Sequence, residues 1–223
     1  MTLQRPATGQ TWTVDLTPGP FALSGSLVSV RVLADSLADI QLAGFDAIAG
    51  IEVLDAVQGL YLGKHLRGII LDLRSNGGGD PTGVAQLLGA FVHGKIWSYF
   101  IDRDGKRLAN QTDDSVPLLH QPLVVLTGRR CISACDAFTE AVRELGIGKI
   151  VGMRTGGDVA GSAAGYSLDD SSILAITTMR LVEANGARID GIGVTPDYVV
   201  PLTAEALSTG HDPEIEKAIS LLS

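Results

Sequence analysis

Cysteine is nearly missing from this chain: Cys131 and Cys135 are the two among 223 residues. No disulfide framework can be built from so few. Read as helical residues four apart, the pair shares one face but points along it, a poor geometry for a bridge. Two small side chains buried at a helix start are expected instead. Histidine is scarce too, at four, and no Cys/His cluster has zinc spacing, so no metal site is expected. Aromatics make up 5%, which leaves the core to Val, Ile, Leu and Ala. No apolar run reaches the ~18 residues of a membrane span. Basic residues are outnumbered, 17 against 25 acidic, for a net charge of −8 and a pI near 4.9. Such a surface repels a phosphate backbone, so no nucleic-acid partner is expected. The opening MTLQRPATGQTWTVDLTPGP lacks the basic-then-apolar build of an export signal. As written, the chain is expected in the cytoplasm; it would be secreted or periplasmic if an export signal had been removed.

Glycine is abundant, at 27 residues, and 45% of the chain is hydrophobic against 19% charged. That balance suits one sizeable core with many tight strand-to-helix turns. TWTVD (12–16) alternates like a short strand and stops at Pro18-Gly19-Pro20. Residues 26–33 and 38–45 alternate as a strand pair. Residues 48–62 space their apolar side chains at three and four, predicting a helix closed near Gly63. GIILDLR (68–74) is a compact apolar run, expected to be a central strand buried on both faces. A helix is predicted over 84–92, a hairpin over 96–108 turning at Asp104-Gly105, and a second buried strand over 122–128. Helix 135–146, strand 149–157, strand 172–182 and helix 213–222 complete an α/β layout of repeated β-β-α units.

In such a sheet, sites gather beyond the carboxyl ends of the strands. Three segments end there: Leu73 into Asn76-Gly77-Gly78-Gly79, Thr127 into Ser133, and Val151 into Thr155-Gly156-Gly157-Asp158. The second puts a serine at a helix start, where N–H groups and the helix dipole face any anion formed beside it. The glycine triplet lets a peptide carbonyl approach the backbone closely. A nucleophile with oxyanion donors is the equipment of acyl transfer. The plain alternative is that Ser133 only caps the helix and the glycines only turn the chain.

The motifs themselves carry a resemblance. GIILDLRSNGGG (68–79), VVLTGRRCISACDAF (124–138), KIVGMRTGG (149–157), DGIGVTPDYVV (190–200) and HDPEIEKAISLL (211–222) follow one another in order. They resemble the segments of the S41 serine peptidases, the tail-specific (C-terminal processing) and tricorn-core family. Ser133-Ala134-Cys135-Asp136 is similar to the family's S-A-x-E, with Asp for Glu. The resemblance implies a ClpP/crotonase-like spiral α/β core over residues 19–223 that hydrolyses peptide bonds without a cofactor. Residues 1–18 resemble the last strands of a PDZ-like domain. Ser133 would be the nucleophile, with the N–H of Ala134 and of Gly78 or Gly79 as oxyanion donors. Peptide or protein is the implied substrate, with self-association into a homo-oligomer left open.

Two departures bear on the base. Where the tail-specific branch carries a lysine the aligned residue is Asp158, and where the tricorn branch carries a histidine it is Gln41. His65, His93, His120 and His211 fall in positions that do not repair this. Asp158 is then the nearest titratable group, basic enough only if desolvated. Asp190 stands near the tricorn branch's supporting carboxylate. The alternatives are a degenerate member that binds peptides or a partner, and a crotonase-like enzyme using the same oxyanion site.

Overall fold

The structure, a computed structural model, describes residues 1–17, 26–33, 36–61 and 66–223. The expected break at Pro18–Pro20, the helix stop at Gly63, His65 and the domain boundary after residue 18 lie outside them. The described strands are β1 (Thr2–Gln4), β2 (Thr11–Thr13), β3 (Val28–Leu33), β4 (Leu37–Leu42), β5 (Gly68–Asp72), β6 (Ile96–Asp102), β7 (Arg107–Gln111), β8 (Leu123–Thr127), β9 (Gly148–Gly152), β10 (Ala163–Ser167), β11 (Ile173–Thr177), β12 (Met179–Glu183) and β13 (Tyr198–Val199). The helices are α1 (Ala49–Tyr61), α2 (Pro81–Gly89), α3 (Ala134–Leu145), α4 (Ala204–Ser208) and α5 (Pro213–Leu222).

The apolar run of β5 leaves no face for water, and all five of its residues are buried. It lies inside a six-stranded sheet of order β13-β9-β8-β5-β4-β3, parallel except for the antiparallel edge strand β3. Alternation sends Ile69, Leu71, Val125 and Ile150 into the core under α1, α2 and α3. Ile70, Val124, Leu126 and Val151 pack on the opposite face against Ile215, Ala218 and Leu222 of α5. Helices therefore cover both faces, as a parallel sheet requires. Asp72, the one charged residue of β5, is 7% exposed and pairs with Arg74 at 2.7 Å. Arg74 also binds Asp212 at 2.8 Å and Glu214 at 2.7 Å, so the D-L-R and D-P-E motifs, far apart in sequence, meet at the start of α5.

A second, antiparallel sheet of order β12-β6-β7 lies beside α3 and closes one side of the site. The hairpin over 96–108 forms as expected, with turn residues between β6 and β7. The single strand expected over 172–182 is instead two, β11 and β12, divided at Thr178. β11 pairs with β10, while β12 joins β6. No helix among the described residues is long and apolar enough to cross a membrane.

The two cysteines are bridged, contrary to expectation. Cys131 is not on a helix: α3 begins at Ala134, and Cys131 lies in the preceding turn. The turn brings its Cα to 5.2 Å from that of Cys135, and the two residues form a disulfide. That separation falls in the ordinary range for a bridge. Both residues are fully buried, as expected.

Candidate active site

Three loops leave the carboxyl ends of β5, β8 and β9 and are tied together by backbone bonds. Asn76, fully buried, donates its Nδ2 to the Leu42 carbonyl at 3.0 Å and accepts the Gly78 N–H at 2.8 Å. Its own carbonyl accepts the Ile132 N–H at 3.3 Å. Gly156 N–H reaches the Cys131 carbonyl at 2.8 Å, and Ser133 N–H reaches the Asp158 carbonyl at 2.9 Å. Gly78 and Gly79 have φ of 85° and 138°, conformations that favour glycine. A Cβ on Gly78 would lie 2.6 Å from the Ile132 carbonyl and 2.7 Å from the Ser133 Cβ; one on Gly79 would overlap the Phe45 carbonyl. The glycine loop is thus pressed against the serine turn.

Ser133 itself is strained. Its φ of 59° and ψ of −121° are sparsely populated for a residue with a Cβ. Strain of this kind persists only where its surroundings impose it, and it gathers at functional sites. The residue occupies the N-cap position of α3, yet its side chain makes no capping hydrogen bond. The capping explanation for this serine therefore fails. Ser133 and Ala134 line a cavity of about 290 Å³ with Gly79, Pro81, Trp97, Phe100 and Leu181. The N–H groups of Gly79 and Ala134 have no protein acceptor among the described residues. The N–H of Gly78 is already committed to Asn76.

The carboxylates fall in different places. Asp158 touches the serine through its backbone, while its side chain is exposed, without the desolvation the sequence reading asked of it. Asp190 lines a neighbouring cavity, accepts the Val159 N–H at 3.3 Å and pairs with Arg188 at 3.1 Å. His93 bonds the Val116 carbonyl, and His120 and His211 are exposed; none of the three lines the serine cavity. Gln41 is exposed, its amide oxygen near the Ser29 hydroxyl at 3.4 Å.

Two buried acids flank the site: Asp136, matched to the family's S-A-x-E without a role, and Glu183, which the sequence did not single out. Asp136 has no exposure and accepts the Gly157 N–H at 2.9 Å. Burial raises its pKa, against the lowering influence of the neighbouring Thr155 side chain and the Gly157 N–H, while its other oxygen has no partner among the described residues. It thereby braces the turn that holds the serine. Glu183, at the end of β12, is fully buried, with neither oxygen partnered among the described residues. Burial first, then the nearby Glu144, Glu140 and Asp136, push it up to about 9. A signal was available: Glu183 shares strand parity with Leu181, which faces the cavity.

Residues 36–200 match the model of peptidase family S41. The chain belongs to peptidase family S41. Among S41 relatives, it is 30% identical over 155 residues to tricorn protease homolog 1 of Streptomyces coelicolor, covering 69% of this chain and 14% of that one. It is also 30% identical over 164 residues to carboxyl-terminal-processing peptidase 2, chloroplastic, of Arabidopsis thaliana, covering 73% of this chain and 31% of that one. The chain thus spans a minor part of these S41 proteins. The structure of a photosystem II D1 C-terminal processing protease superimposes with a TM-score of 0.71 at 26% identity, covering 99% of this chain and 58% of that one. The tricorn protease structure gives a TM-score of 0.62 at 24% identity, over 84% of this chain and 17% of the other. The α/β architecture expected from the motifs is that of the S41 fold.

Proposed function

We propose that this chain is the catalytic part of a serine-type peptidase of the C-terminal processing and tricorn kind, with Ser133 as nucleophile. The observation that carries the proposal is the strained, uncapped Ser133 beside two unpaired N–H donors in one cavity. Ser133 Oγ attacks the scissile carbonyl carbon while its proton passes, directly or through one water, to the Asp158 carboxylate. That carboxylate is exposed in the free chain and must be desolvated by the bound peptide to act as the base. The oxyanion accepts hydrogen bonds from the N–H groups of Gly79 and Ala134, at the positive end of the α3 dipole. Collapse expels the amine, which takes the proton, and water then hydrolyses the acyl-serine ester. Gly78 positions this site rather than donating, since its N–H belongs to Asn76. Asp190 positions Val159, the neighbour of Asp158.

Pro81, Trp97, Phe100, Ala137 and Leu181 give the cavity an apolar wall, which suits an apolar substrate side chain next to the scissile bond. The Cys131–Cys135 bridge supports an oxidising compartment, the exported alternative, over the cytoplasm. The test is hydrolysis of a fluorogenic peptide with an apolar residue before the reporter. Ser133→Ala is expected to abolish turnover, and Asp158→Asn to lower kcat by ~100-fold, an ordinary share for a general base. Activity that survives Ser133→Ala overturns the reading. If only Asp158→Asn is silent, the base lies elsewhere.

A further inference from the structure

The two cysteines of the chain stand on either side of the serine, two residues away in each direction, in Cys131-Ile132-Ser133-Ala134-Cys135. Their bridge spans a sequence separation of four, with Ser133 at the middle of the ring it closes. A ring so short removes little freedom from the unfolded chain, so global stability is a weak reason for it. Its local reach is wider. Cys135 is held in the first turn of α3, in the core cluster that includes Leu73 and Phe138, whereas Cys131 belongs to the turn ahead of that helix. The backbone of that turn ties two other loops. The Cys131 carbonyl accepts the Gly156 N–H at 2.8 Å, and the Ile132 N–H donates to the Asn76 carbonyl at 3.3 Å. Gly156 leads to Asp158, and the Asn76 side chain holds the glycine loop. The bridge is thus a covalent tie at the point where the loops after β5, β8 and β9 meet.

Resting on the peptidase reading above, we infer that the Cys131–Cys135 bridge is a redox switch on the nucleophile, with Ser133 competent in the bridged chain and latent in the dithiol. Closing the bridge passes two electrons from the thiols to a disulfide oxidant. One cysteine thiolate attacks the oxidant to give a mixed disulfide, the other displaces it, and the oxidant leaves as a dithiol carrying both protons. A dithiol reductant runs the same exchange backwards. Both cysteines are fully buried, so either exchange passes through an opening of the turn. Once reduced, two thiol sulfurs cannot stay at bonding distance, and their packed neighbours leave no slack. Cys135 is fixed by its helix, so the turn takes up the separation and carries Ser133 with it. The φ of 59° at Ser133 persists only while its surroundings impose it. Released, the residue relaxes to an ordinary conformation, and its Oγ and the Ala134 N–H fall out of line. The chain is then inert where thiols are kept reduced and active in an oxidising compartment.

The test equilibrates the full chain in buffers of graded oxidised-to-reduced dithiothreitol ratio. Alkylation with iodoacetamide and mass spectrometry count the free thiols, far-UV circular dichroism checks the fold, and the rate of fluorophosphonate labelling reads the nucleophile. Because the chain has no cysteines besides these two, a response to the buffer reports this bridge. The labelling rate is expected to follow the bridged fraction and to recover on reoxidation. In the folded dithiol it is expected to be ~10–100-fold lower, the range that releasing one strained residue allows. The double variant Cys131→Ser, Cys135→Ser is expected to label at the dithiol's rate in every buffer. Equal rates in the bridged and dithiol forms overturn the switch. So does a chain that forms no bridge in the oxidised buffer, or one whose bridge survives every ratio. A dithiol that unfolds overturns it too, since the bridge would then hold the whole fold rather than the nucleophile. No labelling of the bridged chain sinks the serine-hydrolase reading and the switch with it, whereas equal labelling sinks only the switch.

Discussion

The two sides of the serine cavity are built by different means. On the glycine-loop side, buried groups bond one another: Asn76 to Leu42 and Gly78, Ile132 to Asn76, Asp136 to Gly157. On the far side, past Asp158, the contact runs through solvent-exposed side chains, the pair of Arg188 and Asp190. Buried hydrogen bonds hold a geometry because leaving a partner unpaired is costly, while exposed ion pairs contribute little. The first side therefore fixes where the oxyanion can form. The second is free to vary with substrate.

The largest effect that would sharpen this contrast is at Gly78. Gly78→Ala forces a Cβ against the Ile132 carbonyl at a φ of 85°. The turn must move, and the loss of an aligned oxyanion donor is expected to cost ~100-fold or more in hydrolysis. A comparable change on the far side, Asp190→Asn, is expected to cost less than ~10-fold, since an exposed pair is worth little. Kinetics on one peptide substrate compares the two, and a larger loss at Asp190 would break the contrast.

Next in size is the pH dependence of stability. Glu183 titrates at about 9 in the folded chain, above its ordinary value of 4.5. The folded state holds this proton more tightly than the unfolded one. Its contribution is therefore complete below pH 4.5 and lost as the pH rises through about 9, at up to about 1.4 kcal/mol per pH unit. Glu183→Gln is expected to raise Tm at pH 8 and to flatten Tm between pH 5 and pH 9. Some slope will remain, because Asp136 and Glu144 are raised in the same direction, Arg143 opposing the rise at Glu144 only in part. An unchanged pH profile would contradict the buried position of this acid.

The smallest effect concerns the bridge under the serine turn. It closes a loop of only a few residues, so replacing both Cys131 and Cys135 by Ser is expected to lower stability by ~2 kcal/mol in urea unfolding. A double variant as stable as the parent would show that the bridge does not restrain the turn.

Where burial repeats along the chain, the sequence was legible. GIILDLR and PLVVLTG announce buried strands because no polar face interrupts them, and both lie inside the six-stranded sheet. PEIEKAISLL gives α5 with its bounds intact, since Asp212 caps it by accepting the Glu214 and Ile215 N–H groups. β10 went unread because AAGYS is small and polar and its residues are mostly exposed, leaving no alternation to find. At the site, the glycines were legible because only glycine fits their conformations. The disulfide was not, because it depends on a turn ahead of α3 that shortens the cysteine separation. The exposure of Asp158 depends on how distant strands pair, which local pattern does not specify.

The central claim is that Ser133 is a nucleophile with Gly79 and Ala134 as its oxyanion donors. Reaction of the intact protein with a fluorophosphonate, followed by peptide mapping in a mass spectrometer, tests it most directly. The account predicts one adduct per chain, on Ser133, with no adduct in Ser133→Ala. No adduct on a folded protein, or an adduct on another serine, would contradict it.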